Sequence, residues 1–263
     1  MKHWRRYFHI FYLLSLYSMA TAVQSRIGLA LFTIGKIIRF LMFFFFIFFL
    51  VAHTNTIKGY TSFQAIIFFM TFNIVDSIAQ TFFREVYRFR QLVVSGELNT
   101  ILVKPYPVLL RVLTGGLDPM DLIVSIGYIV LTVYLIRMTP HQGAFSVISY
   151  WVLVINALVI ATAFHVAVLG FGIITTNVDH GIMIYRDVTS AGRFPLEIYR
   201  EPFRSMLTFV IPVGVMMSFP SQALFGTLGL TAGVVGVLIA LGSLWLAFIF
   251  WNSSLRRYQS WGG

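Results

Sequence analysis

The chain has 263 residues, 58% of them hydrophobic and only 11% charged, with 27 Phe and no Cys. Soluble domains run about 45–50% apolar and about 25% charged, so a soluble globular fold is excluded, and the missing cysteines exclude disulfides and thiolate metal sites. Long unbroken apolar runs, rather than short alternating segments, predict an all-α integral membrane protein; the net charge of +10 then fits loops beside anionic lipid better than nucleic acid.

Residues 1–30 begin MKHWRRYFHIFYLLSLYSMATAVQSR. A basic start and an apolar middle imitate a signal peptide, but aromatics interrupt the apolar part and the chain beyond stays membrane-like. The reading adopted is an N-terminal amphipathic helix at the cytoplasmic interface, with Arg5 and Arg6 toward headgroups. Six transmembrane helices are expected within 37–251, near 37–57, 61–83, 119–138, within 145–175, near 204–222 and near 230–251, each about the 20 residues a bilayer requires. They form a single transmembrane domain, 1–263. Lys36 and Arg39 are expected to snorkel at the inner end of the first span. Between the spans lie two sizeable cytoplasmic loops, 84–117 and 176–204. Only Lys58 and Arg137 of the 19 Lys and Arg then fall outside, so both termini are expected in the cytoplasm.

At the third span, GGLDPMD reads as a helix start, with Asp118 as N-cap, Pro119 in the first turn and Asp121 at the positive end of the dipole. The fifth span is interrupted by Pro212 and followed by FPSQALFG with Pro220, which predicts either a packed kink or a re-entrant half-helix. In the sixth, Gly229 and Gly233 form a small-xxx-small pair suited to helix packing.

The second span carries Asn73, Asp76, Ser77 and Gln80, with Arg84 just beyond. Their spacing puts all five on one helix face. Polar groups facing lipid are costly, about 2.5–3.5 kcal/mol for a central charge, so this face meets either neighbouring helices or a wet pathway. His165 lies at a depth similar to Asp76; it is either a packing residue or the partner in a carboxylate–histidine relay.

The chain has no GxxxxGK[ST], HExxH or GxSxG, hence no nucleotide site or hydrolytic centre of these types. His3 and His9 sit in the interfacial helix, and His53, His141 and His180 fall in loops on opposite sides, so no metal site and no catalytic residue are expected. Asn252-Ser253-Ser254 matches a glycosylation sequon but lies on the cytoplasmic side.

The first loop crowds Arg84, Glu85, Arg88 and Arg90 at its start. Gly96 allows a sharp entry, Glu97–Val103 is long enough for a short helix, and Pro105 stops it at Lys104. Leu98, Ile101, Leu102 and Val103 give that helix an apolar face for docking. In the second loop, Arg186, Asp187, Arg193, Glu197, Arg200, Glu201 and Arg204 alternate in sign among Ile, Tyr and Phe, a texture suited to headgroups and a protein partner.

RQLVVSGELNTILVKP, AGRFPLEIY and TFVIPVGVMMSFPSQALFG, in that order between Arg84 and Gly226, resemble a bacterial subfamily of type-2 ATP-binding-cassette export permeases. The resemblance implies a subunit of the bacterial cytoplasmic membrane that pairs with a second permease, the same or homologous. It implies two separate ATPase subunits that bind ATP and Mg, the chain itself holding no cofactor. The 84–105 loop, with Arg84, Glu85, Arg88, Arg90, Gly96, Glu97, Leu98, Leu102, Lys104 and Pro105, would couple the chain to the ATPase, Ser95–Pro105 lying in or beside its groove. Asn73, Asp76, Ser77, Gln80 and His165 would line the pathway or pack between helices, and Pro212 and Pro220 would belong to an outer gate. Two alternatives come from the residues themselves: a proton- or ion-coupled carrier using Asp76, and a non-transporting membrane scaffold or lipid-processing enzyme.

Overall fold

The structure is a computed structural model that describes residues 2–24, 26–54, 59–138, 143–175 and 178–258; Lys58 and His141 lie outside them. These residues fold into helices with no β-strand among them. The near end of the bundle holds Arg84 to Leu117, and the far end holds Tyr60 and Gly226 to Gly229.

Helix α1 (Lys2–Gln24) is followed by α2 (Arg26–Thr54) and α3 (Ser62–Phe83). α3 opens on a reciprocal cap: Gln64 N–H donates to Thr61 Oγ1 at 3.4 Å, and Thr61 N–H donates to Gln64 Oε1 at 2.9 Å. Beyond Phe83 the chain tightens into a 3-10 segment, Arg84–Arg88, then α4 (Phe89–Val94), α5 (Glu97–Leu102) and α6 (Val108–Leu113). α7 (Pro119–Met138) starts as expected: Asp118 Oδ1 accepts from the N–H groups of Met120 and Asp121 at 3.0 and 3.1 Å.

α8 (Ala144–Thr175) is the central post, packed against α11 (Val213–Leu224) and α12 (Leu230–Arg256), while α3 packs on α7. Asn156 Nδ2 donates to the Gly236 carbonyl at 3.2 Å. The close approach on α12 is made by Gly236, against Val215 and Phe219, and not by the Gly229–Gly233 pair, whose nearest neighbours are local. α2 and α12 leave most of their apolar side chains exposed, as lipid or a partner helix requires.

Among the described residues five helices are long and apolar enough to cross a membrane, and a sixth candidate is a broken pair. α10 (Phe203–Ser205) continues as a π turn, Met206–Val210, and meets α11 at a bend of 92°. Proline at 212 withholds the backbone donor that would carry a helix through, so the expected interruption is a right-angle bend rather than a mild kink.

The second expected loop, 176–204, takes a different course. α9 (Val178–Ser190) leaves the near end, where Arg90 meets Asp179 at 3.1 Å. Tyr185 then packs on His165 and Phe164 of α8, with ring centroids 4.7 and 5.5 Å away. Gly192 lies against Val213 and Met217, and Arg193 stacks over Phe72 and Phe43 at 4.8 and 5.1 Å. Leu196 N–H donates to Ser218 Oγ at 3.4 Å. Glu197 finally accepts from Tyr60 at 3.3 Å and from Gln222. These partners rise step by step from one end to the other, so residues 178–197 traverse the bundle and do not lie together as a loop at the near end. The physical reason is one-sidedness. Val178, Ile182, Tyr185 and Thr189 are buried at helical spacing, while Asp179 and Asp187 between them are exposed and Arg186 lines a cavity, so average hydropathy conceals the crossing.

A basic cavity as the candidate functional site

The five polar residues of α3 converge. Asn73, Asp76, Ser77, Gln80 and Arg84 all line a cavity of about 610 Å³ enclosed by α2, α3, α7 and the 178–197 segment. Within the stripe, Gln80 Nε2 donates to Asp76 Oδ2 at 2.7 Å, Asn73 Nδ2 to the Phe69 carbonyl at 2.7 Å and Ser77 Oγ to the Ile74 carbonyl at 3.2 Å. His165 is elsewhere. Its Nδ1 bonds the Ala161 carbonyl at 2.8 Å, its ring lies between Phe83 and Tyr185, and Nε2 has no hydrogen-bond partner among the described residues. An Asp76–His165 relay is therefore absent from this arrangement.

The opposite wall comes from α2. Phe32, Lys36, Arg39, Phe40 and Phe43 recur at helical spacing and all face the cavity. Arg186 and Arg193 close it from the side, and Val124 and Tyr128 from α7. The lining thus holds five arginines and a lysine against one carboxylate, Asp76.

Acids behind the wall answer half of these cations. Lys36 pairs with Asp121, whose side chain is 0% exposed. Arg84 reaches Asp118 at 3.6 Å and Asp121 at 3.7 Å, and Arg88 reaches Glu85 at 3.8 Å. Lys36 does not snorkel, because a buried carboxylate lies within its reach. Asp121, expected only to favour a helix dipole, is the centre of this network. Arg39, Arg186 and Arg193 make no ion pair among the described residues. They lie near enough for Arg39 and Arg186 to repel the Arg193 charge and for Asp76 to attract it. Sequence reasoning missed this group; the signal available was the basic and aromatic spacing of 32, 36, 39, 40 and 43.

At the near end, Gly96 has φ +74°, the left-handed turn that admits α5. Arg88, Arg90, Glu97, Lys104 and Pro105 are exposed, and Val103 is 82% exposed. Leu98 is fully buried and Leu102 half-buried. The apolar face of α5 is therefore spent on the chain's own core, and Leu98 holds the element rather than presenting a docking surface. Glu85 is tied to Arg111 at 2.8 Å, and Tyr258 Oη donates to Asn99 Oδ1 at 3.2 Å, joining α5 to the end of α12. α1 leans on the same platform: Leu117 N–H donates to Ser15 Oγ at 3.1 Å, and Tyr7 meets Tyr106 edge-on at 5.5 Å.

At the far end, burial first, and then the Glu197 carboxylate, push the Tyr60 hydroxyl up to about 12, so it remains a donor at every physiological pH. Thr71 bonds Tyr150 at 3.0 Å and Ser221 at 3.1 Å, tying α3, α8 and α11 together. Pro220 is buried within α11. Pro212 is deeper, lining a cleft with Ala163 and Ala167 of α8 and Ser243 and Phe250 of α12, and so does not sit at an outer mouth.

Residues 37–262 match the family described as ABC-2 family transporter protein. The match takes in α3 to α12, the near-end platform and nearly all of the cavity wall. No curated protein gives a significant match to the chain. On that family match, covering most of its length, the chain belongs to the ABC-2 family of transporter proteins.

Proposed function

We propose that the chain is the membrane subunit of an ATP-driven exporter, working as a pair of permeases and driven by two separate ATPase subunits that grip its near end, which faces the cytoplasm. The observation that carries this reading is the platform of α4, α5 and α6. Leu98 anchors it in the core, Tyr258 ties it to α12, and Arg90, Glu97, Val103 and Lys104 are left facing outward. A rigidly mounted element with an exposed, charged outer surface is what a mechanical coupling requires, since a push on it moves α3 and α12 rather than a slack loop. The chain has no P-loop, so ATP and Mg are assigned to the partner.

The test is copurification with a co-expressed ABC ATPase. Combined Glu97→Arg, Val103→Asp and Lys104→Glu substitutions touch exposed positions only. They are expected to abolish ATPase capture while the variant keeps its monodisperse elution profile. Undiminished capture would overturn the coupling assignment. A proton-coupled carrier built on an Asp76–His165 relay is disfavoured, because His165 Nδ1 is taken by the Ala161 carbonyl and its ring is held between Phe83 and Tyr185. The chain alone in liposomes is accordingly expected to be inert under a proton gradient.

A further inference from the structure

The cavity carries a charge imbalance that the rest of the chain does not resolve. A cation within the membrane-spanning layer is costly unless it is paired or faces a wet cavity. Such charges persist where a partner meets them. Lys36, Arg84 and Arg88 have theirs on the chain. Among the described residues Arg39, Arg186 and Arg193 make no ion pair, and Asp76 is the one carboxylate lining the cavity with them, so the opening keeps an excess of positive charge. The same wall is apolar: five phenylalanines line it, and Phe43 and Phe72 already hold the Arg193 guanidinium against their faces. A volume of about 610 Å³ lies within the range of about 300–1,000 Å³ typical of small-molecule sites.

We propose that this cavity takes an amphiphile with an oxyanion headgroup, the head between Arg39, Arg186 and Arg193 and the apolar tail along the phenylalanines of α2 and α3. The proposal rests on reading the chain as a permease and names the substrate class of its pathway. Guanidinium groups suit the head because their planar donors match carboxylate or phosphate oxygens. A free inorganic anion would use the arginines and leave the aromatic wall unused. Asp76 sits opposite as a repulsive element that keeps the anion from binding too tightly to leave.

The test is a fluorescence titration of the full-length protein in zwitterionic phosphatidylcholine nanodiscs, corrected for empty discs. The probe is 11-(dansylamino)undecanoic acid, compared with its neutral methyl ester. The acid is expected to bind about tenfold more tightly than the ester, a difference of about 1.4 kcal/mol. Arg39→Gln with Arg186→Gln should weaken the acid about tenfold and leave the ester unchanged, and the corresponding double Lys variant, which keeps the charge but loses the planar donors, should fall between the wild type and the double Gln variant. Asp76→Asn should tighten the acid several-fold. It also keeps the proposal testable if the double Gln variant misfolds, because unchanged or weaker binding there contradicts it. Lysophosphatidic acid should displace the probe and inorganic phosphate should not. Equal affinity for acid and ester, indifference to the arginines, or displacement by inorganic phosphate as readily as by the lysolipid would overturn the proposal. No ATPase is present in this measurement, so failure of coupling and failure of anion recognition are read separately.

Discussion

Asp121 has 0% side-chain exposure and faces both Lys36 and Arg84. Removing one partner from a buried ion pair strands the other, typically at a cost of about 3–5 kcal/mol. Lys36 keeps some exposure, so the lower end applies: Asp121→Asn is expected to destabilise the protein by about 3 kcal/mol in a denaturation titration in micelles. Lys36→Met with Asp121→Leu should recover much of that loss, because the two charges are then removed together. Leu98→Ala removes a fully buried side chain and should cost about 2–5 kcal/mol in the same assay, even though Leu98 sits in the element assigned to the ATPase. A variant as stable as the wild type would return Leu98 to the docking surface. These roles were illegible in the sequence for one reason. Residue type and local spacing show that Asp121 can serve a helix N-terminus, as it does, but the cation that meets it comes from α2, and only the fold brings the two together.

At the scale of elements, local rules carried α3 and α7 from cap to end. Asp118 with Pro119 marks the start of α7 in the sequence and in the structure alike, and the start of α3 near 61 proves to be the Thr61–Gln64 cap. The polar face of α3 was equally legible, because period alone places 73, 76, 77, 80 and 84 together. The 178–197 segment was not. Hydropathy recognises a helix bathed in lipid, whereas this one buries four residues on one side, carries exposed Asp179 and Asp187, and turns Arg186 toward an internal space. Such a helix reads as a solvated loop until its neighbours are known. The docking of α1 was also hidden, since it depends on a backbone contact. Gly116 adopts φ +116°, and an added Cβ would lie 2.8 Å from the Leu14 carbonyl. Backbone cannot yield as a side chain can, so Gly116→Ala should release α1. The expected signature is faster tryptic cleavage at Arg26 with the cleavage pattern of α7 to α12 unchanged; an unaltered digestion rate would contradict the assignment.

For the whole molecule, the described helices divide the labour between surface and interior. α8 and α3 form the buried axis, and α2 and α12 offer apolar faces outward. Near-end residues fix the platform, the far end is tied by Glu197, Tyr60 and Gln222, and the basic cavity lies between α2, α3, α7 and the crossing segment. Everything proposed for the cavity depends on residues 178–197 passing from one face of the membrane to the other, since only that course brings Arg186 and Arg193 to Asp76. The absence of native cysteine makes the course measurable. Single Val103→Cys and Ile198→Cys variants are labelled in sealed membrane vesicles with a membrane-impermeant maleimide, before and after permeabilisation. The two positions are expected to react from opposite sides of the membrane. Reaction of both from the same side would put 176–204 back into a single loop and dismantle the cavity wall.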